Sequence, residues 1–241
     1  MAVTLAACAA VPEDPEDRAE FEAVNDPLEP TNRAIFEFNM AVDRALLKPI
    51  AKGYRDVVPD SAQHGVHNAL NNLRSPLIFV NDVLQGEPDR AAQTLTRFMF
   101  NSTVGIGGLF DVVADTSGPR YHGEDYGQTF ARWGVGDGPY LMLPFFGPSN
   151  PRDAVGLGLE FVTDPTDLYF HRRGADWASW TRMGVNVVDE RVQLLDPLDE
   201  LERGSLDFYA ALRSVYRQRR ANDIANKDVS ISDMVKAGAP K

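Results

Sequence analysis

The chain has 241 residues, a formal net charge of −11 and an apolar content of 44%. This length allows one large domain or two small ones, and the apolar content is high enough to exclude wholesale disorder. The negative charge excludes the basic surface of a nucleic-acid-binding protein, and it argues against electrostatic recruitment to anionic lipid. Contact with a membrane would therefore depend on apolar groups.

The N-terminus carries the single cysteine of the chain, in the sequence MAVTLAAC. Leu5 to Cys8 has the pattern of a bacterial lipobox, whose cysteine becomes acylated; the alternative is an Ala-rich start with an incidental cysteine. Seven preceding residues are too few for a complete signal peptide, so we interpret residues 1–8 as the end of a lipoprotein signal. Ala9, in place of Asp, favours the outer membrane. Residues 9–24, rich in acids and proline, are predicted to form a solvated tether.

The first periodic segment predicts a helix over 31–47 with two separate apolar faces. One face carries Ile35, Phe38, Val42, Ala45 and Leu46, and the other carries Phe36, Met40 and Leu47. A surface helix normally has one apolar stripe. Two stripes indicate either a helix buried in a core or a helix with protein on one side and lipid on the other.

Further helices are predicted over 61–72 and 76–85, joined around Pro76, and over 89–104, 151–162, 178–195 and 205–222, the last with Ser205 as its N-cap. The helix over 89–104 has a polar face of Arg90, Thr94, Arg97 and Asn101 and an apolar face that includes Leu95 and Met99. Residues 104–150 are rich in glycine and proline and predict a long irregular region, which is uncommon unless it is functional. Strand signals are weak. We therefore predict an all-α domain over 25–222 without a transmembrane helix, followed by a polar, disordered tail over 223–241.

The residue patterns that enzymes use do not occur. The chain has no G-x-S-x-G and no H-E-x-x-H sequence, and its glycine-rich stretches lack the lysine of a phosphate loop. His64 and His67 have no nearby third metal ligand, and His122 and His171 are predicted to be exposed. We predict a protein that is not an enzyme and that uses no metal or other cofactor.

The stretch GDGPYLMLPFFGPSNPRD over 136–153 joins a large apolar block to loop-forming residues. The block consists of Tyr140, Leu141, Met142, Leu143, Pro144, Phe145 and Phe146. Pro144 disfavours a helix, and the run is too short to span a bilayer. Two interpretations remain: a loop that fills an ordinary core, and a flexible apolar surface that contacts a ligand.

Several long motifs resemble the MlaA family, also called VacJ lipoproteins. They are NDPLEPTNRAIFEFN (25–39), KPIAKGYRDVVP (48–59), NNLRSPLIFVNDVLQG (71–86), RFMFNSTVGIGGLFDVVAD (97–115) and EDYGQTFARWGVGDGPYLMLPFFGPSNPRDAVG (124–156). The resemblance runs in order over about residues 25–168 and is weak in the last third of the chain.

The resemblance implies a lipoprotein anchored through Cys8 on the periplasmic side of the outer membrane of a Gram-negative bacterium. It also implies a helical ring that lies in the inner leaflet and encloses an amphipathic channel. Such a protein removes mislocalised glycerophospholipids from the outer leaflet without catalysis. Its expected partners are a soluble carrier of the MlaC type and a trimeric porin. The alternative is a porin-associated structural lipoprotein without transport activity.

On this interpretation the loop over 140–146 controls the channel. The turn that includes and follows the NSTV motif would lie next to the channel, because glycine permits close approach and sharp turns. Its residues are Asn101, Thr103, Gly105, Gly107 and Gly108. Arg97 and Asn101 either meet headgroups or make buried hydrogen bonds, and the second is the preferred explanation. In the helix over 31–47, Phe36, Met40 and Leu47 would face lipid.

Overall fold

A computed structural model describes residues 25–227, 229 and 234 of the chain. The fold is mostly helical, as predicted, with helices α1 (Glu29–Val42), α2 (Lys48–Val57), α3 (Asp60–Leu84), α4 (Pro88–Thr103), α5 (Val112–Asp115), α6 (Tyr126–Arg132), α7 (Pro151–Thr163), α8 (Pro165–Arg172), α9 (Asp176–Gln193), α10 (Leu195–Gly204) and α11 (Phe208–Ile224). Strands β1 (Leu141–Leu143) and β2 (Gly147–Ser149) form a hairpin between α6 and α7. The helices predicted over 89–104, 151–162 and 178–195 are confirmed to within two residues. Cys8, the tether and most of the tail over 223–241 lie outside the described residues.

The predicted helix over 31–47 is the first part of a longer helical rod. A π-helical turn over Asp43–Leu47 joins α1 directly to α2. Asp43, which opens this turn, is buried and accepts two hydrogen bonds from Arg191 of α9, at 2.6 Å from Nε and 2.9 Å from Nη2. The ion pair fixes the middle of the rod against α9.

The two helices predicted on either side of Pro76 form a single helix, so that prediction is wrong. α3 runs through Pro76 without a break. Proline removes one backbone hydrogen bond and usually ends or kinks a helix, but Leu77 and Ile78 directly after it are almost completely buried, and α3 packs along α4. Tertiary packing therefore overrides the local signal for a break.

The region over 104–150 contains more regular structure than predicted. Two short helices, α5 and α6, begin at aspartates whose side chains accept a hydrogen bond from a backbone N–H in the first turn: Asp111 from Ala114 and Asp125 from Gln128. Aspartate is a favoured N-cap because it satisfies a donor that the helix leaves unpaired. These caps allow helices that are too short to be recognised by periodicity.

The last helix starts later than predicted and ends beyond the predicted domain boundary. Ser205 is not its N-cap; the carboxylate of Asp207 accepts the hydrogen bond from Ala210 N. Two arginines of α11 make tertiary ion pairs: Arg213 with Asp26, and Arg220 with Asp125 and Asp153. These pairs hold α11 against the N-terminal segment, α6 and the start of α7.

The main apolar cluster lies between α1, the hairpin and α11. It contains Phe36, Tyr140, Met142 and Tyr209. Tyr209 O–H donates to the buried carboxylate of Asp26 at 2.5 Å, which joins this cluster to the first described residues of the chain. Within the part of the chain that the structure describes, no helix has both the length and the apolar content needed to cross a bilayer.

Candidate functional site

The apolar block over 140–146 forms a hairpin rather than an irregular loop. β1 pairs antiparallel with β2, with Leu141 opposite Ser149 and Leu143 opposite Gly147. Phe145 at the turn has a φ of 67° and Gly147 a φ of 79°. A left-handed φ is unfavourable for a bulky side chain, so Phe145 must be held by contacts with its surroundings.

The hairpin has a buried root and an exposed tip. Tyr140 and Met142 are 1% and 3% exposed and belong to the main apolar cluster. Leu141 and Leu143, on the other face of β1, are half-buried, and Pro144 is exposed. Phe145 and Phe146 are 70% and 52% exposed. The root of the block thus fills a core and the tip presents an apolar surface, and contact of the tip with a ligand stays a prediction.

Two asparagines of α1 hold the hairpin along its length. Asn32 donates from Nδ2 to Tyr140 O at 3.0 Å and accepts from Met142 N at 2.9 Å. Asn39 donates from Nδ2 to Leu143 O at 2.9 Å and accepts from Phe145 N at 2.8 Å. Each side-chain amide therefore pairs with the strand as a neighbouring strand would.

The spacing of these asparagines matches the strand. Asn32 and Asn39 are seven residues apart, which is about 10.5 Å along a helix. The backbone groups that they bind are displaced by three residues, which is about 10 Å along a strand. This role of the two asparagines was not predicted from the sequence. The available signal was that Asn39, together with Asp43, forms a narrow polar stripe between two apolar faces, whereas asparagine disfavours helix interiors.

Two aromatic pairs connect the tip to neighbouring helices. Phe145 contacts Phe38 of α1 edge-to-face with ring centroids 5.2 Å apart, and Phe146 contacts Phe161 of α7 at 5.8 Å in the same geometry. We call these four residues the aromatic tip. All four side chains are 46% exposed or more, so the aromatic tip forms a surface and not a core.

The lipid-facing face predicted for the helix over 31–47 is wrong for Phe36 and Met40. Phe36 is 5% exposed, and Met40 packs against the main apolar cluster; Leu47 is half-buried. On the opposite apolar face, Phe38 and Leu46 are 46% and 54% exposed, whereas Ile35 packs against the main apolar cluster. The cause is that Asn32 and Asn39 bind the hairpin, which places the Phe36 side of the helix inward.

Helix α4 is inverted relative to a helix on the surface of a water-soluble protein. Its polar residues Thr94, Arg97 and Asn101 are buried, whereas Leu95, Met99 and Phe100 are exposed by 44% or more. Arg97 donates to Pro119 O and to Asp111 Oδ2, and Asn101 donates to Asp111 Oδ1 at 2.9 Å. These contacts match the explanation that Arg97 and Asn101 make buried hydrogen bonds.

The turn after α4 combines tight packing with apolar exposure. A side chain at Gly105 would collide with the backbone of Phe110 and Asn101, and one at Gly108 would collide with Asn72. Gly107 has a left-handed φ of 70° and open space around it. Thr103 is exposed and donates to Met99 O. The glycines thus allow the close approach that was predicted, and the exposed residues of this turn continue the apolar surface of α4: Val104, Ile106, Leu109 and Phe110.

Two histidines bind buried carboxylates. His122 is half-buried and lies 3.2 Å from both Asp82 oxygens, so its predicted exposure is wrong. His67 contacts Asp189 Oδ2 at 2.7 Å, and this hydrogen bond raises the pKa of His67. Both histidines serve tertiary contacts of α3.

Among the described residues, Asp82, His122 and Glu124 bring together three atoms of the type that bind metals, within 4.8 Å of one another. Protein groups already compensate these charges. Arg90 Nη2 lies 2.7 Å from Glu124 Oε1, and Thr94 Oγ1 donates to Asp82 Oδ2 at 2.7 Å. Buried carboxylates that are paired in this way have a structural explanation, and the prediction of no metal stays a prediction.

Comparison with known proteins identifies the family. The sequence model of the MlaA lipoprotein family matches residues 24–223. The chain belongs to the MlaA lipoprotein family. The match extends to residue 223 and so into the last third of the chain, where the motif resemblance was weak.

Among its relatives, the MlaA lipoprotein of the intermembrane phospholipid transport system of Escherichia coli strain K12 is 35% identical over 222 residues, covering 89% of this chain and 82% of the relative. The protein of the same name from Haemophilus influenzae is 31% identical, and the match covers 98% of this chain and 94% of that relative. An uncharacterised protein of Rickettsia bellii is 37% identical over 198 residues, 82% of this chain and 76% of that protein.

A solved structure, from work on the maintenance of bacterial outer membrane lipid asymmetry, has the same fold. It superposes with a TM-score of 0.70 at 36% sequence identity and covers 83% of this chain and 98% of its own. The MlaA fold expected from the motifs is therefore confirmed. The relatives from Escherichia coli and Haemophilus influenzae are named as transport-system lipoproteins, which supports a non-enzymatic role for this member of the MlaA family.

Proposed function

We propose that this chain removes mislocalised glycerophospholipids from the outer leaflet of the outer membrane and passes them to a soluble periplasmic carrier of the MlaC type. The lipids would move along an amphipathic channel beside the hairpin, and no catalytic step would be needed. Cys8 would carry the acyl anchor on the periplasmic side, next to a trimeric porin. The names of the relatives, which refer to intermembrane phospholipid transport, support this proposal.

The observation that carries the proposal is the inversion of α4. Exposing Leu95, Met99 and Phe100 is unfavourable in water, whereas the buried Arg97 and Asn101 on the other side of the helix are compensated by hydrogen bonds. The same arrangement is favourable in a bilayer, where polar side chains face protein or a watery cavity and apolar ones face lipid. Val104 and the aromatic tip are exposed as well, and together with α4 they expose more large apolar residues than is usual for a water-soluble monomer.

Two tryptophans support an interfacial position for the body of the protein. Trp177 and Trp180, one turn apart on α9, are each 71% exposed. Tryptophan is enriched where a membrane meets water, because its ring is apolar and its N–H needs a polar partner. We infer a monotopic protein in the inner leaflet, held by its acyl chains and by this apolar surface, since one acyl chain alone binds only marginally.

The energetics of lipid movement explain the need for a continuous apolar path. Exposing acyl chains to water costs about 0.8 kcal/mol for each CH₂, so two chains of ordinary length cost roughly 20 kcal/mol. The two ends of the hairpin would serve different purposes, since Tyr140 and Met142 anchor it whereas Phe145 and Phe146 would contact the acyl chains. The turn over 101–108 would form a neighbouring wall of the channel.

Photo-crosslinking in intact cells tests the proposal. A photoreactive phenylalanine analogue replaces Phe145, the most exposed residue of the hairpin, and in a matched variant it replaces Glu200, an exposed residue of α10. We expect phospholipid on the position-145 variant and none on the position-200 variant, as measured by mass spectrometry of the captured adduct.

Two outcomes would contradict the proposal. Capture of porin without lipid at position 145, in a protein with normal thermal stability, would favour the alternative of a structural, porin-associated lipoprotein. Equal lipid capture at positions 145 and 200 would mean that the signal reflects general contact with the membrane. In either case the hairpin would lose its assignment to the channel.

A further inference from the structure

A cavity of about 340 Å³ lies at the root of the hairpin, between the hairpin, the start of α7 and α11. Tyr140, Arg152 and Arg220 line its buried part, and the exposed residues Asp137 and Gly138 line its rim. The volume falls within the range of about 300–1,000 Å³ that is usual for small-molecule sites. The cavity is separate from the aromatic tip, which lies at the other end of β1.

Three buried donors on residues that line this cavity have no hydrogen-bond partner among the residues that the structure describes. One of them, Arg220 Nε, lies 2.7 Å from Asp153 Oδ2, and this ion pair compensates its charge. The other two are the hydroxyl of Tyr140, a residue that is 1% exposed, and Nη2 of Arg152, a residue that is 8% exposed. Burial raises the pKa of Tyr140, so its hydroxyl stays protonated and remains a donor. Because buried donors are nearly always satisfied, both atoms indicate an acceptor inside the cavity.

The charges around the cavity favour an anionic acceptor. The carboxylate of Asp153 is shared by Arg152, Arg220 and Tyr216. Its negative charge is therefore divided among several donors. Among the lining residues that the structure describes, Asp137 at the rim is the one that carries a carboxylate. Three lining side chains are guanidinium groups, those of Arg152, Arg217 and Arg220. Arg220 also pairs with Asp125, which is not among the lining residues. The positive end of the α7 dipole also points toward this region, since Ser149, Asn150 and Arg152 at the start of α7 line the cavity.

We propose that this cavity binds the phosphodiester group of a glycerophospholipid, an inference that rests on the transport function proposed above. Arginine guanidinium groups match the geometry and charge of phosphate oxygens. The surroundings of the hairpin also have the polarity of a lipid: the cavity beside its root is lined by arginines, and its tip is apolar. Tyr140 and Pro144 are four residues apart, which is about 13 Å along a strand. A lipid lying along β1 would therefore place its phosphate beside Arg152 and its acyl chains beside Phe145.

Calorimetric titration of the full chain tests this assignment. The probes are monomeric dihexanoyl phosphatidylglycerol, sn-glycerol 3-phosphate, and dihexanoylglycerol, which has the acyl chains but no phosphate. In Tyr140→Phe the ring that packs in the core is retained and only the unpartnered hydroxyl is removed. We expect dihexanoyl phosphatidylglycerol to bind this variant about tenfold more weakly, because a hydrogen bond to a charged group is lost. Tyr169→Phe, at an exposed tyrosine of α8, is the matched control and should bind like the unmodified chain.

Three results would overturn the assignment. Equal affinity of Tyr140→Phe and the unmodified chain would remove the hydroxyl from the site. Equally tight binding of dihexanoylglycerol would remove the role of phosphate. Binding of sn-glycerol 3-phosphate without binding of dihexanoyl phosphatidylglycerol would indicate a site for a free phosphate ester.

The failure of this assignment is distinguishable from the failure of the transport function. An unchanged titration of Tyr140→Phe, together with lipid capture at position 145, would remove only the cavity assignment. Tight phosphodiester binding without lipid capture at position 145 would remove only the transport function.

Discussion

Asn39 offers the most direct test of how the hairpin is held. Its amide makes two hydrogen bonds to the tip, one to Leu143 O at 2.9 Å and one from Phe145 N at 2.8 Å. A net hydrogen bond contributes about 1 kcal/mol, so Asn39→Ala should lower the free energy of opening the tip by about 2 kcal/mol, roughly a 30-fold change in the opening equilibrium. The root should stay in place, because Asn32 still binds Tyr140 and Met142.

Hydrogen exchange of the backbone amides measures this opening directly, because local opening sets the exchange rate. We expect the amide of Phe145, which also loses its own acceptor, to exchange at least about 30-fold faster in Asn39→Ala, while the amide of Met142 exchanges as before. Glu37→Ala, at an exposed residue of the same helix, should leave both rates unchanged. If the Phe145 amide exchanged at the same rate in Asn39→Ala and in the unmodified chain, the proposed role of Asn39 in holding the tip would be refuted.

Two further predictions concern stability. Arg191→Leu should lower the free energy of unfolding by about 3–5 kcal/mol, because it leaves the buried Asp43 carboxylate unpaired. As a control, Arg55→Leu should lower it by less than about 1 kcal/mol, because the side chain of its partner Asp196 is 85% exposed. Equal losses for the two variants in urea titrations would contradict this. Burial raises the pKa of Glu160 from 4.5 to about 7, and attraction to Arg74 opposes this shift only in part. Because its pKa is raised, this carboxyl stabilises the fold fully below pH 4.5, and the contribution is lost as the pH rises through 7. Relative to Glu160→Gln, the free energy of unfolding of the unmodified chain should therefore fall by about 3 kcal/mol between pH 4.5 and pH 8. Parallel stability curves for the two proteins would rule this out.

Local signals in the sequence were sufficient for several helices and for the family. The ends of α4, α7 and α9 follow from hydrophobic period and from proline at the first turn of α4 and α7, because these signals act within one helical turn. The motifs around the apolar block were long enough to indicate the MlaA family, and the family model confirmed it. The apolar block itself was recognisable because so many large apolar residues next to Gly and Pro are unusual in a loop.

The orientation of the faces could not be read from the sequence. Periodicity shows that the first helix has two apolar stripes, but it does not show which stripe contacts protein. The structure buries Phe36 and exposes Phe38 because Asn32 and Asn39 bind the hairpin, which lies more than 100 residues further along the chain. In α4 the apolar stripe was correctly located, yet it is exposed, because Arg97 and Asn101 find their partner Asp111 inside the protein.

The sequence by itself thus determined the helical class, the family and the position of the apolar block, since each depends on neighbouring residues or on a long motif. Only the tertiary structure decided that the block is a hairpin with an anchored root and an exposed tip, and that a cationic cavity lies at the root. The physical reason is that these features arise from partners distant in sequence. Asn39 with Phe145, Arg220 with Asp125, and Tyr140 with Arg152 at the cavity meet only after the helices have packed.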